Sequence, residues 1–228
     1  MRQKLLYLLA IVGGLLVIRN TYVILLGFQD EASQGSIYRI IFFHVPCWMI
    51  SFSAYFIASV SSILYLWKKK TVFDDLAVST VEIGLVFTTT GLVTGSIWAR
   101  IIWGIWWTWD PRLTWAFICL LIYLGYLMLR RAIDDPTERA KNSAVLCIFA
   151  FTSVVITYKS IDWWRTQHPG AVLSFRTGGG NIEPAWEHML MWNFLALTLI
   201  SIPLVIMRMR QERTQREIDA LRRRTHEL

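Results

Sequence analysis

Residues 45–67 read VPCWMISFSAYFIASVSSILYLW, twenty-three positions without a charged side chain. As an α-helix rising ~1.5 Å per residue, this run measures about 35 Å, enough to cross a hydrocarbon core of about 30 Å. His44 marks one end of it, and Trp67 with Lys68, Lys69 and Lys70 marks the other. Comparable apolar runs recur at 5–27, 77–97, 113–130, 142–158 and 189–207, which predicts six membrane spans and an all-α polytopic fold. Six spans of about 20 residues leave little chain for a second fold, so residues 1–228 read as a single six-helix membrane domain. Composition agrees, at 55% hydrophobic and 17% charged, where soluble domains carry about 25% charged residues. Arg2 and Lys4 ahead of the first run imitate a signal peptide, but Arg19 and Asn20 follow it rather than small residues. That span is therefore expected to stay as an uncleaved helix, with Arg19 reaching the interface by snorkelling.

The net charge of +7 does not indicate nucleic acid, because the basic residues cluster beside the apolar runs, as topology signals do. The N-terminus, residues 68–70, residues 130–141 and the tail from Arg208 hold 16 Lys and Arg, whereas the alternate loops at 28–39, 98–112 and 159–188 hold six. The positive-inside rule then predicts both termini on the cytoplasmic side. The tail beyond Arg208 reads as a charged cytoplasmic helix without chemistry of its own.

Cys47, Cys119 and Cys147 stand far apart within apolar stretches, with no CxxC for zinc or thiol chemistry and no CxxCH for thioether-linked heme. They read as small core residues. Tryptophan is distributed unevenly. Of twelve, Trp67 alone falls at an inner end, and six lie between residues 98 and 115. An interfacial belt would occupy both faces, so this bias implies a broad, flat, apolar ligand at the outer face. His44, His168 and His188 share that bias, and only His226 lies in the tail. Imidazoles for iron and aromatic faces for a macrocycle suit a porphyrin, and spacing alone does not say which histidines serve. With no histidine inside a span, a transmembrane b-type cytochrome has no ligands.

The most specific segment is Trp103-Gly104-Ile105-Trp106-Trp107-Thr108-Trp109-Asp110-Pro111-Arg112-Leu113-Thr114. It resembles the tryptophan-rich WWD signature of heme-handling proteins in cytochrome c biogenesis. The finer pattern, in about 230 residues with six spans, is similar to the heme exporter protein C family. Larger relatives usually continue with a glutamate where Leu113 stands. The resemblance extends through Ser36-Ile37-Tyr38-Arg39-Ile40, His44-Val45-Pro46, Thr94-Gly95-Ser96 with Trp98, and Trp163-Trp164-Arg165-Thr166-Gln167-His168.

What the resemblance implies is a protein without enzymatic activity that holds non-covalent heme b at the outer leaflet between two axial histidines. It would present the heme to a periplasmic heme chaperone for c-type cytochrome biogenesis. An ABC-type ATPase, its permease and a small membrane subunit would be its partners in the bacterial inner membrane or the mitochondrial inner membrane. Matched position by position, the axial ligands fall on His44 and His168, and His188 has no match. The heme platform and propionate contacts would come from Trp98, Arg100, Trp103, Gly104, Trp106, Trp107, Trp109, Asp110 and Arg112. These residues have structural readings as well. Asp110 and Pro111 make an N-cap and N1 pair for the fourth helix, and Gly104 suits a tight bend. Arg100 and Arg112 suit carboxylates, while the glycines at 178–180 suit a loop that opens. The alternative is a plain permease subunit of an ABC exporter, which shares six spans but has no need of an outer tryptophan sheet.

Overall fold

The computed structural model describes residues 2–170, 173–174, 179–180 and 182–226. The described residues hold six α-helices: α1 (Arg2–Leu26), α2 (Ile41–Lys68), α3 (Thr71–Ile102), α4 (Pro111–Ala132), α5 (Pro136–Trp163) and α6 (Pro184–His226). Each carries a stretch long and apolar enough to cross a membrane. A 3-10 turn at Ser36–Ile40 leads into α2. In the connection between α5 and α6, Leu173–Ser174 pairs antiparallel with Gly179–Gly180, and Gly178 lies outside the described residues.

The helices outrun the predicted spans because charge does not stop a backbone hydrogen-bond ladder; caps do. Asp110 and Asp135 each cap a helix that opens with proline, accepting from Arg112 N and from Thr137 N and Glu138 N respectively. Where no cap intervenes the helix continues. The charged tail is not a separate element but the second half of α6, whose 43 residues span about 64 Å. His44 and Trp98, expected just outside helices, lie within α2 and α3.

Neighbouring helices alternate in direction. One end of the bundle holds the start of α1, the α2–α3 and α4–α5 turns and the tail of α6; the other holds the tryptophan-rich connections. At the first end Arg130 donates to both carboxylate oxygens of buried Asp74, at 2.6 and 3.0 Å. The α6 tail is strapped to α3 by Arg208 on Glu82 and Arg216 on Asp75.

Pro46, inside α2, explains a cross-link at the opposite end. Its missing N–H leaves the carbonyl of Phe42 without its helical donor, and an unpaired carbonyl is costly in the bilayer. Asn193 of α6 supplies the bond, its Nδ2 donating to Phe42 O at 2.6 Å. Asn20 of α1 in turn donates to Asn193 Oδ1 at 2.9 Å. Arg19 beside it donates to Asn20 Oδ1 at 3.0 Å and lies over the Trp192 ring, 5.9 Å from its centroid.

The seam between α2 and α3 depends on glycines that let large side chains rest on bare backbone. A Cβ at Gly84 would lie 2.6 Å from the Tyr55 ring, and one at Gly91 would lie 2.8 Å from Trp48. Tyr55 cannot retreat, because its other face stacks on Tyr123 with centroids 3.6 Å apart and its hydroxyl is 2.8 Å from Thr88 Oγ1. Gly84→Ala should therefore destabilise the fold by about 1–3 kcal/mol. Gly125 of α4 has nothing within 4 Å of its added Cβ. Thermal unfolding of the purified protein should show a lowered midpoint for Gly84→Ala and no loss for Gly125→Ala; equal midpoints would show that the seam accommodates a methyl group.

Candidate functional site

At the tryptophan-rich end, α2, α3, the first turns of α4 and residues 168–170 surround one cavity. Aromatic rings form its walls: Tyr38, Trp48, Trp98, Trp103, Trp107 and Trp186. Into this lining come two imidazoles, His44 and His168, and one guanidinium, Arg112.

His44 is carried by α2 and pressed against α3, where a Cβ on Gly95 would lie 3.0 Å from its Cε1. Its Nδ1 is 3.0 Å from Thr94 Oγ1. The Thr94 hydroxyl has one proton, and the carbonyls of Thr90 and Gly91 take it, at 2.8 and 3.1 Å. Thr94 therefore accepts from His44, Nδ1 carries the imidazole proton, and Nε2 keeps its lone pair.

His168 reaches the same tautomer by another route. Its Nδ1 is 2.8 Å from the carbonyl of Pro169, which can only accept. Burial, followed by the positive charge of Arg112, pushes the His168 pKa down to about 4, so the ring is neutral at neutral pH. Both rings thus offer an unprotonated Nε2, the form in which imidazole binds a metal. Two such nitrogens and an aromatic wall fit a heme group, and Arg112 adds a partner for its carboxylates. Arg112 Nη1 is already committed to the carbonyls of Thr157 and Tyr158, at 2.7 and 3.1 Å, which fixes the guanidinium in place.

The residues singled out from the sequence divide into three groups. Trp98, Trp103, Trp107, Arg112, His44 and His168 line the cavity. Trp98 donates from Nε1 to Gln34 Oε1 at 2.8 Å and meets Trp103 edge to face, centroids 5.0 Å apart. Trp106 and Trp109 are outside the lining, with 60% and 74% of their surface exposed. Gly104 takes φ +76°, the bend that only glycine adopts freely, and its carbonyl accepts from Arg100, which is exposed and also outside the lining. Asp110 is buried behind the wall rather than in it. Its Oδ1 accepts from Arg112 N at 2.9 Å, its Oδ2 from Gln167 N at 3.0 Å, and both from the Thr166 hydroxyl at 2.6 Å. His188 is exposed on α6 and is not among the residues lining the cavity.

Sequence reasoning did not assign Trp48, Trp186, Tyr38 or Thr94 to the site. Trp48 carried a usable signal, because it follows His44 by one helical turn and shares its face. Trp186 and Tyr38, stacked at 4.5 Å, were visible only as members of the outer tryptophan set and of the Ser36–Ile40 segment, with nothing that points to this cavity in particular.

Comparison with known proteins bears on this geometry. The family described as heme exporter protein C matches residues 1–224. The heme exporter protein C of Bradyrhizobium diazoefficiens is 36% identical over 193 residues, covering 84% of this chain and 73% of that protein. Its namesake in Escherichia coli is 36% identical over 182 residues, covering 79% and 72%. That of Paracoccus denitrificans is 31% identical over 193 residues, covering 84% and 80%. With the match running nearly end to end, the chain belongs to the heme exporter protein C family.

Proposed function

We propose that this protein holds heme non-covalently at the outer face of the membrane, between His44 and His168, and delivers it to a periplasmic heme chaperone. Its family makes it a membrane component of heme transport for cytochrome c maturation. The finer reading rests on one observation: imidazoles from α2 and from the α5–α6 connection line a single aromatic cavity, each with Nδ1 engaged as a donor and Nε2 left for iron. The iron supplies the central bond; the chain supplies two neutral imidazoles, an apolar wall for the macrocycle and the Arg112 guanidinium for a propionate.

The orientation follows from charge. With 16 basic residues at one end against six at the other, the tryptophan-rich end faces the periplasm. The membrane is the bacterial inner membrane, where an ABC-type ATPase, a permease and a small membrane subunit complete the assembly. The chain acts by binding and hand-off, not by catalysis. Trp106 and Trp109, on the connection between α3 and α4, have their surfaces largely exposed, where an arriving chaperone can meet them.

Heme occupancy of the purified full-length protein tests the ligand set. His44→Ala and His168→Ala should each retain heme on the order of tenfold more weakly, whereas His188→Ala should match the parent. Loss of heme in the His188 variant with retention in the His168 variant would reverse the ligand assignment. The tryptophans should separate into two classes. Replacing Trp103 and Trp107 together by alanine should lower occupancy, since each buried aromatic contact contributes about 0.5–1.5 kcal/mol. Replacing Trp106 and Trp109 together should leave occupancy intact and slow heme transfer to the chaperone. Occupancy lost equally in both pairs would show that the exposed rings also touch the macrocycle.

A further inference from the structure

The two histidines are held in place by different means. His44 sits on a long helix with α3 packed against it, while His168 belongs to a connection and owes its position to a few bonds. Those bonds converge on Asp110. A helix cap needs only the bond from Arg112 N to Oδ1, at 2.9 Å. The same carboxylate also takes the Thr166 hydroxyl proton, shared at 2.6 Å by both oxygens, and Gln167 N–H at 3.0 Å. Thr166 is 56 positions away in the chain. The oxygen of that hydroxyl accepts His168 N–H at 3.0 Å, and the His168 ring is tied to its own backbone through Nδ1 and Pro169 O, at 2.8 Å. A continuous path of bonds thus runs from the Asp110 carboxylate through Thr166 to the His168 imidazole. Asp110 is only 7% exposed, so water competes little for these bonds, and charge-assisted bonds of this length are the strong kind.

We propose that Asp110 and Thr166 are positioning residues, forming a clamp that holds His168 where its Nε2 reaches the iron. The proposal rests on the reading of His168 as an axial ligand. It gives the aspartate of the WWD segment a role distinct from heme contact. The aspartate serves the fourth helix as a cap and serves the ligand loop as its anchor, so the motif and the distant histidine form one unit. It also makes the two ligands unequal, with His44 fixed by helix packing and His168 dependent on a clamp that can open.

Full-length Thr166→Val, which keeps the shape and removes the hydroxyl, tests the clamp against Thr166→Ser, which restores the hydroxyl. Two measurements are needed. The first is amide hydrogen exchange of residues 164–170 in protein without heme. Thr166→Val should exchange about tenfold or more faster there than the parent, because His168 N–H loses its acceptor and the hydroxyl that ties the segment to Asp110 is gone, leaving only the bond from Gln167 N–H, and Thr166→Ser should match the parent. The second is the absorption spectrum after addition of ferric heme. Thr166→Val should move toward the spectrum of His168→Ala, added imidazole should return it, and Thr166→Ser should again match the parent. If Thr166→Val does not accumulate in the membrane, Asp110→Asn, which keeps an acceptor for the cap, carries the same two expectations. A clamp variant with the parental spectrum overturns the proposal, whatever its exchange rate. A parental spectrum in His168→Ala itself overturns instead the underlying ligand reading. An altered spectrum in His168→Ala beside a parental one in Thr166→Val defeats the clamp alone.

Discussion

The close approach of α2 and α3 governs the positions of the parts that matter. In a bilayer, helices gain nothing from hiding apolar surface, so contact depends on packing and on bonds between them. Gly84, Gly91 and Gly95 lay bare a strip of α3 on which Tyr55, Trp48 and His44 of α2 rest in turn. The hydroxyls of Ser51 and Thr88, 2.5 Å apart, join the two helices at the middle, and His44 joins Thr94 nearer the end. One seam therefore sets the depth, the rotation and the tautomer of a single imidazole. Pro46 extends the effect, since the carbonyl it leaves unpaired recruits Asn193 and through it Asn20, which ties α6 and α1 to α2.

The two ends of the bundle are built on different principles. At the cationic end charges are paired, with Arg130 on Asp74 well buried and the α6 tail held by Arg208 and Arg216. A buried pair of this kind opposes its own desolvation, and its loss is costly mainly because one partner is left alone. At the other end charge is sparse and aromatic rings predominate. There a neutral His168, depressed to about 4 by burial, remains available to a metal across the neutral range. Aromatic faces and two unprotonated nitrogens at one end suit a flat metal complex, whereas the paired charges at the other serve to hold helices together.

Much of this was legible in the sequence, for identifiable reasons. The six spans stand out because soluble folds rarely contain uncharged runs of membrane length, and Asp110 followed by Pro111 marks the start of the fourth helix. Helix ends were harder to place. α6 runs on to His226 because charges do not break a hydrogen-bond ladder, and α2 begins early enough to include His44. The motif was visible as a string of tryptophans, yet the string does not tell which rings face inward. Trp103 and Trp107 line the cavity while Trp106 and Trp109 do not. The bond from Asp110 to Thr166 was illegible, since nothing local to either residue points 56 positions along the chain.

The central claim is that two imidazole nitrogens of this chain occupy the axial positions of one heme iron. Pulsed electron paramagnetic resonance of the ferric, heme-loaded protein, prepared with 15N-labelled histidine, counts those nitrogens directly. A low-spin iron coupled to two labelled nitrogens is the predicted result. A high-spin iron, or coupling to one labelled nitrogen or none, would contradict it.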